Sequence, residues 1–181
     1  MKTQIIAGYP GIGKTYMIKA FSSVIDLESS DYHWIYDNSV DFFDYERRKG
    51  NANRKLNPNW PSNYITAICE AYEKNEFSYI LIAGKLEVVD LLSNCHVLFT
   101  IVVPNKGLKE EYKERYLKRN NTNQFISFVL PRWDNYMEQI SHYSNVFYLN
   151  SGEYLYDVIS FISEKEEGVV CGRCKSRNKN T

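Results

Sequence analysis

Apolar residues along this chain fall into short runs of two different periods. Gln4-Ile5-Ile6-Ala7 is a brief unbroken run, the pattern of a strand buried on both faces, and Thr15 to Phe21 reads as the helix after it. Ser23-Val24-Ile25-Asp26-Leu27 is a second strand candidate that ends in an acidic residue. Tyr79-Ile80-Leu81-Ile82-Ala83 is the clearest buried strand, "VLFTIVV" from Val97 to Val103 is another, closed by Pro104, and Val146-Phe147-Tyr148-Leu149 is the last. Between these runs the spacing turns helical. Pro61 suits the first turn of a helix in which Tyr64, Ile65, Ile68 and Tyr72 recur on one face. "LEVVDLLSN" after Gly84, "LKEEYKERYLKRN", and "NTNQFISFVL" and "RWDNYMEQI" on either side of Pro131 are further helical pieces, and Glu153 to Ile162 is a final one. Glu111 and Arg115 lie four apart, the spacing of a helical ion pair.

Strands alternating with helices predict an α/β protein, a parallel sheet with helices on both faces. No internal repeat is visible. Only Ser29 to Trp60, with "YERRKGNANRKLNPNWP" inside it, has no clear period. With 181 residues and 44% apolar content, the default is one domain with one core, over 1–163. The charged, glycine-containing segment 164–181 is expected to be a loose tail.

Composition narrows the function. Lys+Arg and Asp+Glu are each 22, so the chain lacks the basic excess of a protein that grips nucleic acid by its phosphates, and no nucleic acid partner is expected. No apolar run approaches the ~20 residues of a membrane span, and polar and glycine residues interrupt the N-terminus too early for a signal peptide. Cys69, Cys95, Cys171 and Cys174 do not form a secreted disulfide framework, which points to a reduced, cytoplasmic protein, monomeric or homodimeric. Cys171-Gly172-Arg173-Cys174 is half of a zinc site; Cys69 and Cys95 fall in predicted core elements and the histidines show no matching spacing, so a plain basic tail is expected.

The chemistry concentrates at Gly8-Tyr9-Pro10-Gly11-Ile12-Gly13-Lys14-Thr15, which matches G-x-x-x-x-G-K-[ST] at every fixed position. Glycines let successive backbone N–H groups converge on phosphate oxygens, and the helix opening at Lys14 adds its positive dipole end. Lys14 is placed for the β- and γ-phosphates, Thr15 for Mg²⁺, and Tyr16 completes the stretch bordering the nucleotide. The expected ligands are ATP and Mg²⁺, on a three-layer α/β/α P-loop NTPase fold with a mostly parallel sheet of about five strands. The strand "YILIA" runs into Gly84 with no carboxylate, unlike the acidic strand end of motor and transporter ATPases. Asp26 and Glu28 stand instead behind the second strand, where strand ends face the phosphates. Asp26 there would hold a Mg²⁺ water or orient an acceptor hydroxyl, and Glu28 would touch the acceptor; the alternative is a helix or turn cap.

From Gln4 to about Ile162 the order of elements resembles the small P-loop nucleoside and nucleotide kinases, the adenylate kinase-like group that includes shikimate kinase. Asp26-x-Glu28 is similar to the acidic D-x-D pair of shikimate and gluconate kinases. "VVPNKGLKEEYKERYLKRNN" resembles the strand, proline and arginine helix leading into their lid, here 105–130. "DLESS" with "NPNWP" resembles short phage and bacterial adenylate kinase-like proteins. The resemblance implies that Arg115 and Arg119 clamp the transferring phosphoryl group, hinged at Asn120-Asn121-Thr122-Asn123. The residues alone also read as a solvated helix paired with its own glutamates, ended by a rigid turn capped at Thr122 or Asn123. The D-G-x-P-R motif of adenylate kinase is absent, since Ala83-Gly84-Lys85-Leu86 stands there.

The same resemblance places acceptor binding in 29–75. Arg47, Arg54 and their basic neighbours would meet an acceptor phosphate, and Tyr32, Trp34, Tyr36 and Trp60 would stack on a base, or else these residues form an exposed loop and a small aromatic core. Two functions remain from the sequence. One is phosphoryl transfer from ATP to a small-molecule acceptor, a nucleotide or nucleoside foremost, with Lys14, Asp26, Arg115 and Arg119 catalytic. The other is an ATP-binding regulatory or sequestering protein on a kinase scaffold.

Overall fold

A computed structural model of the chain describes residues 3–36, 54–95 and 97–166. Five strands, β1 (Gln4–Gly8), β2 (Val24–Asp26), β5 (Tyr79–Ala83), β6 (Phe99–Pro104) and β7 (Val146–Leu149), form one sheet in the order β2-β5-β1-β6-β7. Every neighbouring pair in it is parallel, so all five C-terminal ends meet at one edge. The unbroken apolar runs explain this. Ile5, Ile6 and Ala7 of β1, Ile80, Leu81 and Ile82 of β5, and Ile101, Val102 and Val103 of β6 are all fully buried. Each large side chain among them contributes about 1.5–3 kcal/mol relative to exposure.

The helices are α1 (Lys14–Ala20), α2 (Ser30–His33), α3 (Ser62–Lys74), α4 (Leu86–Asn94), α5 (Lys109–Lys118), α6 (Asn123–Val129), α7 (Trp133–Ile140) and α8 (Leu155–Glu166). Helix α3 packs on α4 and α4 on α7, whereas α1 packs on α8. Right-handed crossovers put these two groups on opposite faces of the sheet, a three-layer α/β/α arrangement. Tyr64, Ile65 and Ile68, the periodic positions of α3, are buried. Trp133, fully buried, donates from Nε1 to the Lys106 carbonyl at 2.8 Å and ties α7 to the end of β6. No helix among the described residues is long and apolar enough to cross a membrane.

The structure departs from the sequence reading in three places. The stretch 29–60, where the sequence assigns no strand or helix, holds among its described residues α2 and an antiparallel pair, β3 (Trp34–Tyr36) with β4 (Arg54–Leu56). Helix α8 continues past Ile162 to Glu166, beyond the domain end expected at 163 and into the segment expected to be loose. Cys95, expected in the core, is exposed, while Cys69 is partly buried. Residues 171–174, the C-x-x-C of the tail, lie outside the described residues.

Candidate functional site

At the C-terminal edge of the sheet the chain leaves β1 through Gly8 and turns back into α1. Gly11 (φ +89°) and Gly13 (φ +101°) lie in the left-handed region that side chains disfavour. At Gly8 the constraint is space, because a Cβ there would stand 2.6 Å from Ile12 Cδ1. The loop is braced from outside. The Tyr9 amide donates to the Val102 carbonyl at 3.0 Å, Ile12 accepts from the Leu155 amide at 2.8 Å, and the Tyr116 hydroxyl donates to the Pro10 carbonyl at 3.1 Å. Tyr9 itself is buried beside Trp133, Tyr136 and Tyr112. By contrast, the amides of Gly11, Gly13, Lys14 and Thr15 have no hydrogen-bond acceptor among the described residues. Converging backbone donors held rigid and left unpaired form an anion cradle. Pro10 and Tyr16 border it as exposed residues, and the exposed Thr15 has no side-chain hydrogen bond among the described residues. These residues fit a nucleoside triphosphate with Mg²⁺: four amides and Lys14 for the phosphates, a free hydroxyl for the ion.

Lys14 Nζ meets Asp26 Oδ1 at 3.0 Å, with the two side chains only 17% and 12% exposed. β5 lies between β1 and β2, so this ion pair spans the crevice at the sheet edge. Burial pushes the Asp26 carboxyl up, and the neighbouring Lys14 ammonium opposes but does not cancel the rise. Asp26 therefore belongs to the site by geometry. It caps no helix in the described residues, whereas Glu28 accepts from the Ser30 amide at 3.3 Å in the turn before α2.

Arg115 and Arg119 do line one open cavity, of about 220 Å³, together with Gly11, Lys118 and Tyr154. Their situations differ. The buried Arg115 guanidinium reaches Glu111 Oε1 from Nη2 at 2.6 Å, donates to the Glu153 carbonyl at 3.0 Å and lies 4.0 Å over the Tyr154 ring. It is pinned between α5 and the turn before α8. Burial works to raise the Glu111 carboxyl, and the Ser151 hydroxyl, the Gly152 amide and Arg115 outweigh it, leaving it lowered. Arg119 ends α5. The joint after it is a formed turn: Asn120 adopts φ +53°, the Asn121 amide returns to the Tyr116 carbonyl at 3.0 Å, and Thr122 Oγ1 caps α6 by accepting from the Phe125 amide at 3.2 Å. Replacing Arg115 with Ala is expected to cost about 1.5–3 kcal/mol in urea unfolding, the worth of hydrogen bonds to a charged group. Arg119→Ala should leave unfolding unchanged and weaken ATP binding instead. Equal effects of the two changes on unfolding would contradict this division.

On the far side of the crevice the chain continues from β5 through Gly84, whose amide donates to the Gly8 carbonyl at 3.0 Å. A Cβ on Gly84 would lie 3.1 Å from the Gly8 carbonyl carbon, so only glycine lets these two backbones approach. The Tyr136 hydroxyl donates to the Gly84 carbonyl at 2.5 Å. Tyr64 accepts from the Ala83 amide and donates to the Leu27 carbonyl, which locks the ends of β2 and β5 together. Trp34, His33, Trp60 and Tyr64 form a continuous stack with ring centroids 4.4, 4.5 and 5.4 Å apart. Arg54 covers the outer face of Trp34 at 4.3 Å. Trp34 and Trp60, expected to stack on a base, are thus occupied by one another's neighbours and by cations, and Arg54 serves the stack. Arg47 lies outside the described residues.

Lys85, directly after Gly84, was not among the expected site residues. A single lysine at a helix start gives no sequence signal; its role comes from the stack beside it. No model of a known protein family matches the chain, and no curated protein sequence matches it significantly.

Proposed function

We propose that the chain transfers the γ-phosphoryl group of ATP to a small-molecule acceptor, a nucleotide or nucleoside foremost. The observation that carries this reading is the braced loop with four unpaired amides, facing Lys14 and a partly desolvated Asp26 across the crevice. The amides of Gly11, Gly13, Lys14 and Thr15 bind and orient the triphosphate. Lys14 exchanges its Asp26 partner for phosphate oxygen, which frees the carboxylate. Asp26, held above the usual carboxylate range by burial, then takes a hydrogen bond from the acceptor hydroxyl and orients it. Thr15 offers its hydroxyl to the ion. Mg²⁺ bound with ATP supplies charge neutralisation for the transferring group. Arg119, on the cavity beside Gly11, is positioned for the nucleotide.

The binding-only reading draws on one observation, the engagement of Arg115 by Glu111, Tyr112 and the Glu153 carbonyl, which leaves that guanidinium one N–H, on Nη1, for a phosphoryl group. Acceptor-dependent ADP release separates the two. Purified chain with ATP–Mg²⁺ should release ADP well above its acceptor-free rate when the right acceptor is present. Tight ATP binding with no acceptor-dependent release across nucleosides, nucleotides and sugar acids would leave a binding protein.

A further inference from the structure

Lys85 holds its ammonium at no carboxylate among the described residues. Its ammonium sits 2.7 Å from His33 Nδ1 and 4.5 Å over the Trp60 ring, and it forms no ion pair among the described residues. Burial disfavours its charge, and the two carboxylates that favour it, Glu87 and Glu28, act from beyond ion-pair distance. Glu87 Oε1 accepts from Trp60 Nε1 at 2.8 Å, and Glu28 Oε1 accepts from the Ser30 amide. His33 cannot turn away, because its ring is stacked between Trp34 and Trp60 at interplanar angles of 23° and 22°. Facing an ammonium, Nδ1 must be the acceptor nitrogen, so His33 presents a neutral ring that orients Lys85 and offers it no counter-charge. A partly buried ammonium fixed by a neutral acceptor and an aromatic face is a cation held ready for an anion. Its place is decisive: Gly84, one residue earlier, is hydrogen-bonded to Gly8 at the start of the phosphate loop.

We propose that Lys85, oriented by His33 and Trp60, binds an anionic group of the phosphoryl acceptor, so that the acceptor is a phosphate monoester or a carboxylate and not a neutral alcohol. This rests on the phosphotransfer reading, and it names the substrate class that reading leaves open. Lys85 is a specificity residue on the acceptor side, opposite the Lys14 side that holds the donor. Arg54, beyond Trp34, adds to the positive field felt at His33 and favours an anion further.

The test uses the full chain with ATP–Mg²⁺ and three sets of probes: adenosine, guanosine, cytidine and thymidine; their 5′-monophosphates; and the polyhydroxy carboxylates gluconate and shikimate. ADP release and calorimetric binding are measured in parallel, for the wild type, Lys85→Met and Lys85→Arg. The anionic sets are expected to bind and to stimulate ADP release, and which of the two does so tells phosphate from carboxylate. Lys85→Met should raise KM for that acceptor at least about ten-fold with KM for ATP unchanged, and Lys85→Arg should recover most of it. Neutral nucleosides turned over as well as the anions, or a Lys85→Met enzyme with unaltered acceptor KM, would overturn this inference and leave phosphotransfer standing. Monophosphate binding that depends on Lys85 without any ADP release would do the reverse. An anionic panel that neither binds nor reacts would overturn it as well.

Discussion

Lys14→Met is expected to lower acceptor-dependent ADP release by a factor of about 10³ or more while the chain stays folded. The side chain lost is the one cation aimed from α1 across the crevice, and phosphoryl transfer depends on positioned charge more than on covalent chemistry. The same change has a second, independent consequence. Asp26 would be left buried without its ammonium, which should cost about 1–3 kcal/mol of stability near neutral pH. Its pH dependence has a defined sign. Burial already holds the Asp26 carboxyl above its ordinary value, and Lys14 is the largest influence lowering it. Without Lys14 it rises further. A carboxyl raised in the folded state binds its proton more tightly there than in the unfolded chain. Its contribution is then most favourable below the unfolded value near 4 and is lost as pH rises through the folded value. The stability gap between wild type and Lys14→Met should therefore widen from pH 5 to pH 8 in urea unfolding. A gap independent of pH would show that Asp26 does not answer to Lys14. Undiminished ADP release would remove Lys14 from the chemistry.

What could be read in advance, and what could not, follows from where the constraint resides. The loop from Gly8 to Thr15 is built from backbone amides and glycine conformations, so its requirements are written locally, and the structure keeps Gly11 and Gly13 at positive φ. The five sheet strands were legible because a buried parallel strand needs a continuous apolar run. The β3–β4 pair was not: Trp34–Tyr36 and Arg54–Leu56 are three residues each, far apart in sequence, and half polar. Arg115 shows the limit of helical spacing. Spacing placed Arg115 and Arg119 on one face and paired Arg115 with Glu111, as observed, but could not show that the Glu153 carbonyl and Tyr154 arrive from the turn before α8 to bury the guanidinium. Trp60 and His33 illustrate the same gap. Each reads alone as a base-stacking ring or a stray histidine, and only their contact with each other, across 27 residues of sequence, turns Lys85 into a fixed cation.

Asp26→Asn tests whether the acidic end of β2 serves chemistry or structure, because the two predict opposite stability changes. Asparagine is the neutral isostere of the protonated carboxyl, and its Oδ1 can still accept from Lys14 Nζ, now 3.0 Å away. The wild-type carboxyl is held above its ordinary value, first by burial and also by the nearby negative charge of Glu28, with Lys14 opposing both. At neutral pH the ionised form therefore weighs against the fold, and replacing it should leave Tm unchanged or raise it by about 2–4 °C per kcal/mol gained. That gain should vanish as pH falls toward 4, where the wild-type carboxyl takes up its own proton. Turnover should move the other way, falling by about 10² or more, because an amide neither accepts a proton nor orients an acceptor hydroxyl as a carboxylate does. Stability kept and activity lost is the pattern of a group retained for its function. A turn or cap residue would give the contrary result, a lower Tm with ADP release intact, and that outcome would remove Asp26 from the site and leave Lys14 facing a purely structural partner.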